Sequence, residues 1–399
     1  MNIWIYNHYA DPPSRQATRT FDIAADLVKR GHQVTIFAAG RSHYTFDDPI
    51  VYKRFQFAKT ELIEGVRFLW IKTPPYEAND WRRALNMLVY CFFVFWASWG
   101  PRPDVIIGVT VHPFAAALAW GIAKIRRSRF FFEITDLWPE TLIEFGQLSA
   151  DGTSAKVLYA LETFLLKRAE YVIVLHANLG RYTSKRGIAN EKLVWIPHGV
   201  NLNNYKNLEP YTGELKGQFR LMYLGGLVWS NDLDTILEAF NLLKQSPQIT
   251  LEIYGQGSDQ NRLEEKASSL RLTNVSFHTV VPKRELHKIM SQADCFIMAL
   301  RRFELYHYGV SLNKLTDYLA SQRPIIIAVE SDHNPVEIAK AGLVVPPQDP
   351  QAMADAIHQM YLLSAQERFE MGQRGLAYLK ENHSIPILAQ RLESILTRP

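Results

Sequence analysis

The chain has 399 residues, more than one hydrophobic core usually organises, so two domains of roughly 200 residues each are expected. Hydrophobic residues make up 47% and charged ones 21%, the balance of a folded globular protein, and no low-complexity tract or solenoid-period repeat is present, which excludes extended disorder. A net charge of +4 falls short of the dense basic stripe of a nucleic-acid binder, and Cys91 and Cys295 by themselves build neither a disulfide framework nor a zinc site. Both cysteines lie in apolar surroundings, and the opening MNIWIYNHYADPPSR has no basic stretch followed by an apolar run, so no export signal is read there. The expected location is the cytoplasm, with the inner face of its membrane left open by a segment described below.

Residues 2–6 read as a short apolar strand, and residues 15–30 place Ala17, Phe21, Ala24, Ala25, Leu27 and Val28 at helical spacing. After a turn at Gly31-His32 comes a strand at 34–38, completing the unit that builds a parallel sheet. Residues 84–99, ALNMLVYCFFVFWASW, carry no charge and follow Trp81, Arg82 and Arg83. They are too few to span a bilayer, which needs about 20 apolar residues, so contact with a membrane surface or an acceptor lipid is expected, with a buried core helix as the alternative. Lys53, Arg54, Arg82, Arg83, Lys124, Arg126, Arg127 and Arg129 would add attraction to anionic lipid, or else form a solvated face. The rhythm continues with a strand at 105–109, a helix at 115–124, a strand at 130–134 and a strand at 171–175 before a helix ending near Gly187. A last strand at 193–196 runs into Pro197-His198-Gly199-Val200, closing a first domain of residues 1–200.

Residues 201–217 are polar, rich in Asn, and without strong periodicity, and read as an interdomain linker. A second domain, 218–375, restarts the series: strands at 220–224, 250–254, 275–278, 295–299, 324–328 and 343–345, with helices at 233–244 and 260–270 among those between them. Residues 376–399 read as a terminal helix returning to the first domain. Two doubly wound sheets are implied, and since such sheets bind ligands at the carboxyl ends of their strands, a cleft between two facing domains is where chemistry is expected.

Gly255-Gln256-Gly257 after a strand lacks the third glycine of a dinucleotide fingerprint, Gln260 standing there, which disfavours a nicotinamide cofactor. The glycines, with Tyr254 before them and Val281 beyond the next strand, either admit a nucleotide near backbone or only make a tight turn. Gly225-Gly226 between strand and helix either exposes backbone N–H groups to a phosphate or is a structural turn. The stretch FELYHYGVSLNKLTDYLASQRP, 303–324, offers Glu304, Ser311, Asn313, Lys314 and Asp317. A lysine at a helix start can neutralise a diphosphate and a carboxylate can accept both ribose hydroxyls; the plainer reading is a capped amphipathic helix with Ser311 or Asn313 as its N-cap. In the first half, Asp136, Trp138 and Glu140 follow a strand, as do His112 and His8, where carboxylates suit sugar hydroxyls and an aromatic suits a sugar face; a lone histidine is otherwise a structural residue. No acidic cluster has metal-ligand spacing.

Lys29-Arg30-Gly31-His32-Gln33-Val34, Asp136-Leu137-Trp138-Pro139-Glu140, Ile196-Pro197-His198-Gly199-Val200, Tyr223-Leu224-Gly225-Gly226, Gly309-Val310-Ser311-Leu312-Asn313-Lys314 and Asp317-Tyr318-Leu319-Ala320 span both halves. Through them the chain resembles the retaining GT-B glycosyltransferases of family 4, and among these the bacterial surface-polysaccharide enzymes with a DLWPE motif. The resemblance implies retention of configuration but does not name the donor; the chain is read as moving a sugar, of hexosamine type, from a UDP-linked donor to a lipid-linked or oligosaccharide acceptor, and no cofactor, metal or nucleic-acid partner is expected. The resemblance implies Lys314, Asp317, Glu304, Ser311, Asn313, Gly225, Gly226, Tyr254, Gly255 and Val281 on the donor side, and His112, Asp136 and Glu140 as reacting-site residues. Departures are also plain: Pro12-Pro13-Ser14-Arg15-Gln16 replaces a glycine-rich loop, Gly226 and Asn231 stand where the family has an arginine and a lysine, and Gly309 stands where the first glutamate of a spaced pair is usual. Arg301 or Arg302 would then help Lys314. The alternatives are a nucleotide-sugar epimerase on the same fold and a non-catalytic, membrane-associated carbohydrate-binding subunit.

Overall fold

The computed structural model describes residues 1–13, 18–43, 47–77, 80–211, 217–281 and 285–398. Positions 14–16 of the proline-containing loop, the start of the helix expected at 15–30 and positions 212–216 of the expected linker lie outside the described residues. The chain divides into two compact units, Met1–Pro197 with Ile385–Pro399, and His198–Ser384.

The first unit contains, in order, β1 (Asn2–Tyr6), α1 (Arg19–Lys29), β2 (Gln33–Ala39), β3 (Ala58–Ile63), β4 (Val66–Ile71), α2 (Trp81–Ala97), β5 (Val105–Val109), α3 (Pro113–Arg126), β6 (Arg129–Ile134), α4 (Glu140–Glu144), α5 (Thr153–Arg168), β7 (Tyr171–Val174), α6 (Gly180–Ser184) and β8 (Leu193–Trp195). Its sheet has the order β3-β4-β2-β1-β5-β6-β7-β8, and the described pairings are parallel except β3 with β4. Strands such as β5, buried along its whole length, are continuous apolar runs because helices cover both faces. The antiparallel pair was not anticipated. It turns through Glu64 and Gly65, both with positive φ (47° and 82°), the geometry of a tight hairpin on a twisted sheet.

Helix α2 divides the uncharged segment between two environments. Asp80 caps it by accepting from the N–H groups of Arg82 and Arg83, and Asn86, Met87, Tyr90 and Val94 form the buried face. Leu85, Leu88, Phe92 and Trp96 are exposed on the other side. Among the described residues no helix is long and apolar enough to cross a membrane.

The second unit contains β9 (Phe219–Leu224), α7 (Leu233–Leu242), β10 (Ile249–Tyr254), α8 (Gln260–Ser269), β11 (Val275–His278), α9 (Leu286–Met290), β12 (Cys295–Ala299), α10 (Asn313–Ala320), β13 (Ile325–Ala328), α11 (Pro335–Ile338), β14 (Gly342–Val345), α12 (Pro350–Leu362) and α13 (Ala365–Asn382). Its sheet, β11-β10-β9-β12-β13-β14, is parallel throughout the described pairings and has the doubly wound order. Residues 201–211, read as linker from their polarity, belong to this unit instead: Tyr205 is buried in its core, with Leu202 and Leu208 packed alongside, so a few apolar anchors outweigh the polar composition. The last helix, α14 (Ile385–Leu396), lies in the first unit, where Leu388, Ala389, Leu392 and Leu396 join a core with Phe21, Ile23 and Leu27 of α1. Arg30 donates to the Glu393 carboxylate (3.0 Å) and to the Pro386 carbonyl (3.0 Å), fastening the helix at its rim.

Candidate functional site

Each sheet reverses direction at one point, between β1 and β5 in the first unit and between β9 and β12 in the second. The loops leaving the carboxyl ends of those strands are where an α/β sheet of this kind presents ligand groups.

In the second unit β9 runs into Gly225-Gly226 and β10 into Gly255-Gln256-Gly257. A Cβ on Gly255 would lie 1.9 Å from the Gly225 carbonyl oxygen, and one on Gly257 would lie 2.1 Å from that of Leu227. The two loops also exchange backbone hydrogen bonds, Gly225 N–H to Tyr254 O (3.0 Å) and Leu227 N–H to Gln256 O (2.9 Å). Gly255 and Gly257 therefore let two loops press backbone against backbone. Gly226 differs, since a Cβ there meets nothing nearer than 3.9 Å.

Lys314 lies in the first turn of α10 with its stem against Gly225. Its Nζ donates to Asn231 Oδ1 (2.6 Å) and to the Tyr223 hydroxyl (3.3 Å), and Asn231 in turn donates through Nδ2 to the Gly226 carbonyl (2.7 Å). Desolvation pushes the Lys314 amine down to about 7. No side chain caps α10: Ser311 is occupied, its Oγ accepting from the His198 N–H (3.1 Å), and Asn313 is exposed at the helix start. The first-turn amides thus join a lysine and the Gly225 backbone, an arrangement suited to a phosphate. Tyr318 clamps the same corner, accepting from the Leu224 N–H (2.8 Å) and donating to its carbonyl (3.0 Å). Asp317, one turn along, accepts from Tyr205 (2.5 Å).

The other predicted donor-side residues are more dispersed. The Tyr254 ring is stacked on His278 (4.4 Å between centroids), Val281 is half-buried just before positions outside the described residues, and Glu304 is exposed in the 3-10 helix Glu304–Tyr308. Arg301, just beyond β12, donates from Nε to the Trp229 carbonyl (2.9 Å) and lies over the Trp229 ring, whereas Arg302 is exposed beside Glu330.

In the first unit, His8 beyond β1 and His112 beyond β5 meet at 2.7 Å, His8 Nδ1 to His112 Nε2, and both are fully buried. His112 Nδ1 accepts from the Ala115 N–H at the start of α3, so its Nε2 carries the proton and donates to His8. Burial holds His8 well below the usual imidazole range and pushes His112 down to about 3, with the Arg83 cation acting in the same direction, so the pair is neutral. The remaining nitrogen, His8 Nε2, faces Asn86, and neither it nor Asn86 Oδ1 has a hydrogen-bond partner of good geometry among the described residues. Tyr90 stacks on His8 (4.1 Å), Tyr9 stacks on His43 (4.2 Å), and the His43 ring shares a hydrogen bond with Tyr76 (2.6 Å). Arg83 turns to this cluster, donating to the Tyr9 hydroxyl (3.2 Å), rather than standing beside Arg82 as a second outward cation.

His112, expected to face ligand, is in this state a helix cap with both ring nitrogens engaged and no exposed edge, because the His8 ring and the Ala115 amide use its polarity internally. Asp136 is exposed, and its backbone carbonyl accepts from Thr110 (3.2 Å). The protein packed around its carboxyl raises it to about 6, against the pull of Arg83. Glu140 opens α4 and belongs to a separate cluster, 3.9 Å from Arg186, which also pairs with buried Glu162 (3.2 Å). The peptide between Trp138 and Pro139 is cis. Tyr223, Tyr318 and Asn231 entered the sequence reading only as motif positions without a role, and Tyr205, Tyr9, His43, Tyr76 and Asn86 did not enter it as site residues, since their partners are distant in sequence.

Two family models match the chain, one described as glycosyl transferase 4-like domain over residues 16–199 and one as glycosyl transferases group 1 over residues 218–362. The chain is 23% identical over 385 residues, 91% of its length and 93% of the relative's, to WcaI of Escherichia coli (strain K12), named as a colanic acid biosynthesis glycosyl transferase. In fold it is similar to sucrose-phosphate synthase from Thermosynechococcus elongatus, with a TM-score of 0.73 and 16% identity over 99% of this chain and 98% of that one. It is likewise similar to Anabaena HepE solved in complex with UDP and glucose, with a TM-score of 0.68 and 14% identity over 100% of this chain and 99% of that one.

Proposed function

Because the chain belongs to the group 1 glycosyl transferases of GT-B type, we propose that it moves a sugar of hexosamine type from a UDP-linked donor to a lipid-linked or glycan acceptor in bacterial envelope polysaccharide synthesis, with retention of configuration. One observation carries the donor half of this reading: a lysine, a glycine backbone and uncapped helix amides converge where β9 meets α10. The diphosphate takes its countercharge from Lys314 and from amides around Gly225, with Arg301, now beside Asp232 and Asp234, as a further cation. Asp317 accepts ribose hydroxyls while Tyr205 steadies it, and Tyr254, Gly255 and Val281 flank the base. HepE, similar over its whole length, was solved with UDP, which supports a uridine donor here.

On the acceptor side Asp136 orients the attacking hydroxyl or stabilises positive charge on the sugar, and Glu140, held by Arg186, contacts sugar hydroxyls. In a front-face retaining transfer the leaving phosphate can itself take the acceptor proton, so the carboxylates need only position and stabilise. His112 positions the start of α3. The exposed aromatic side of α2 supports peripheral contact with a membrane carrying the acceptor. No metal takes part, so chelator leaves the rate unchanged.

Calorimetric titration with a panel of UDP-sugars, followed by turnover on membrane extracts and determination of the product anomer, tests the proposal. Binding of one UDP-sugar with transfer in the retained configuration is expected. Conversion of the donor without any acceptor would identify an epimerase, and an inverted product would remove the mechanism.

A further inference from the structure

A groove of about 490 Å³ lies beside α2, walled by Phe55, Phe57, Pro74, Pro75, Val89 and Phe93. We propose that it binds the apolar chain of an amphiphilic acceptor, whose phosphate head lies toward the Arg82–Arg83 end of α2. This rests on the lipid-linked acceptor of the preceding reading and names where that lipid sits.

Volume and lining fit a single hydrocarbon chain. Small-molecule sites span roughly 300–1,000 Å³ and are mostly apolar. Phe55 is 88% exposed and its backbone is left-handed (φ 64°), so a large apolar side chain is held in water by a conformation that such residues rarely adopt. Phe57 and Phe93 stack (5.2 Å), giving the groove a flat aromatic wall.

Polarity runs the right way along α2. Arg82, Asn86, Val89 and Phe93 recur at helical spacing, so the groove residues Val89 and Phe93 share a side of the helix with a cation, while Asn86 between them is buried. From Arg82 to Phe93 the helix rises roughly 16 Å at 1.5 Å per residue, enough to separate a charged head from the first few isoprenoid units of its chain. Exposed Lys72 on the groove wall, with Arg82 at its head, complements an anionic phosphate. Asn86 also donates to the Pro74 carbonyl (2.7 Å), fixing the groove wall to the residue that faces His8 at the strand crossover.

The concave shape selects the occupant. A bilayer surface suits the outward row of Leu85, Leu88 and Phe92 but cannot fill a groove, and a peptide strand needs backbone partners that an almost wholly apolar lining does not offer.

The test uses the full chain and isopentenyl, geranyl and farnesyl phosphates as probes, with binding read by calorimetry below their aggregation concentration. Affinity should rise with chain length at constant head group, and Phe55→Ser and Phe93→Ser should each weaken the farnesyl compound about tenfold while leaving the isopentenyl compound and UDP binding unchanged. Leu88→Gln, on the outward row, should leave soluble farnesyl phosphate binding as in the parent and reduce only attachment to anionic liposomes. Affinity independent of chain length, or chain dependence retained in both Phe variants, overturns the groove. Equal losses of soluble farnesyl phosphate binding in Leu88→Gln would place the chain on the outward row and likewise overturn the groove. These are binding readouts, so failure of the transferase reading would appear separately as absence of turnover.

Discussion

At the strand crossover of the first unit two buried imidazoles share a hydrogen bond, and at that of the second a lysine sits beneath glycine backbone with an asparagine and a tyrosine on its ammonium. The strand order around the two points is the same: β2-β1-β5-β6 in one, β10-β9-β12-β13 in the other. Topology therefore fixes where a site opens but not its charge. The first unit spends its histidines on a neutral, buried pair and leaves a carboxylate, Asp136, at the surface; the second concentrates a cation and helix amides that no side chain caps. A neutral hydroxyl fits the former and a diphosphate the latter.

The sharpest way to break this contrast is to remove the cation. Lys314→Ala should lower donor affinity or turnover by about a hundredfold with a melting temperature near the parent's, read by calorimetry and initial rates. The pH dependence carries a sign. With the free amine at about 7 and a bound diphosphate favouring the ammonium, the complex holds more protons than the free protein above neutrality. Donor affinity should thus fall as pH rises from 7 to 9, by up to about tenfold per unit, with proton uptake on binding, and Lys314→Ala should flatten the profile.

Next is the carboxylate. Asp136→Asn should lower kcat by about tenfold or more with donor binding intact, and Glu140→Gln by less, since Arg186 already engages that carboxylate. Loss of melting temperature with normal turnover would make either one a scaffold residue.

The glycines give a smaller contrast within one unit. Gly255→Ala must displace the Gly225 carbonyl and should cost roughly 1–3 kcal/mol in denaturant titration, whereas Gly226→Ala, with open space around it, should be within about 0.5 kcal/mol of the parent.

A further effect is expected on acid stability of the first unit. His112 is held near 3 in the fold against about 6.5 when unfolded, so between these values the unfolded chain binds more protons. Stability is full above about 6.5 and falls as pH drops. Glu162, raised to about 7, acts oppositely, so the readout is the difference in melting temperature between pH 7 and 4.5 for the parent and for His112→Asn, which should be smaller in the variant.

Apart from β3 and β4, the strands of both units were legible because buried parallel strands are apolar runs between turn residues, and Lys314 stood out because it lies at a helix start. Other features were not. Asn231 and Tyr223 matter only through contact with Lys314, 83 and 91 residues away, and the His8–His112 bond spans 104 positions. The two roles left open for Gly255 and Gly257 become separable once the opposing carbonyls are seen, since contact with backbone accounts for both.

Helix α14 has a consequence in time. It supplies part of the first unit's core, yet it is made only after all of residues 198–384. At roughly 5–20 residues per second a ribosome takes on the order of ten seconds or more over that interval. During it the part of the first unit's core that α14 completes waits uncovered, while the second unit, whose sequence is complete by Ser384, can close first. Of the two units the one begun earlier is thus completed later, and nascent chains stalled before residue 385 should expose a protease-sensitive or chaperone-bound first unit beside a protected second one.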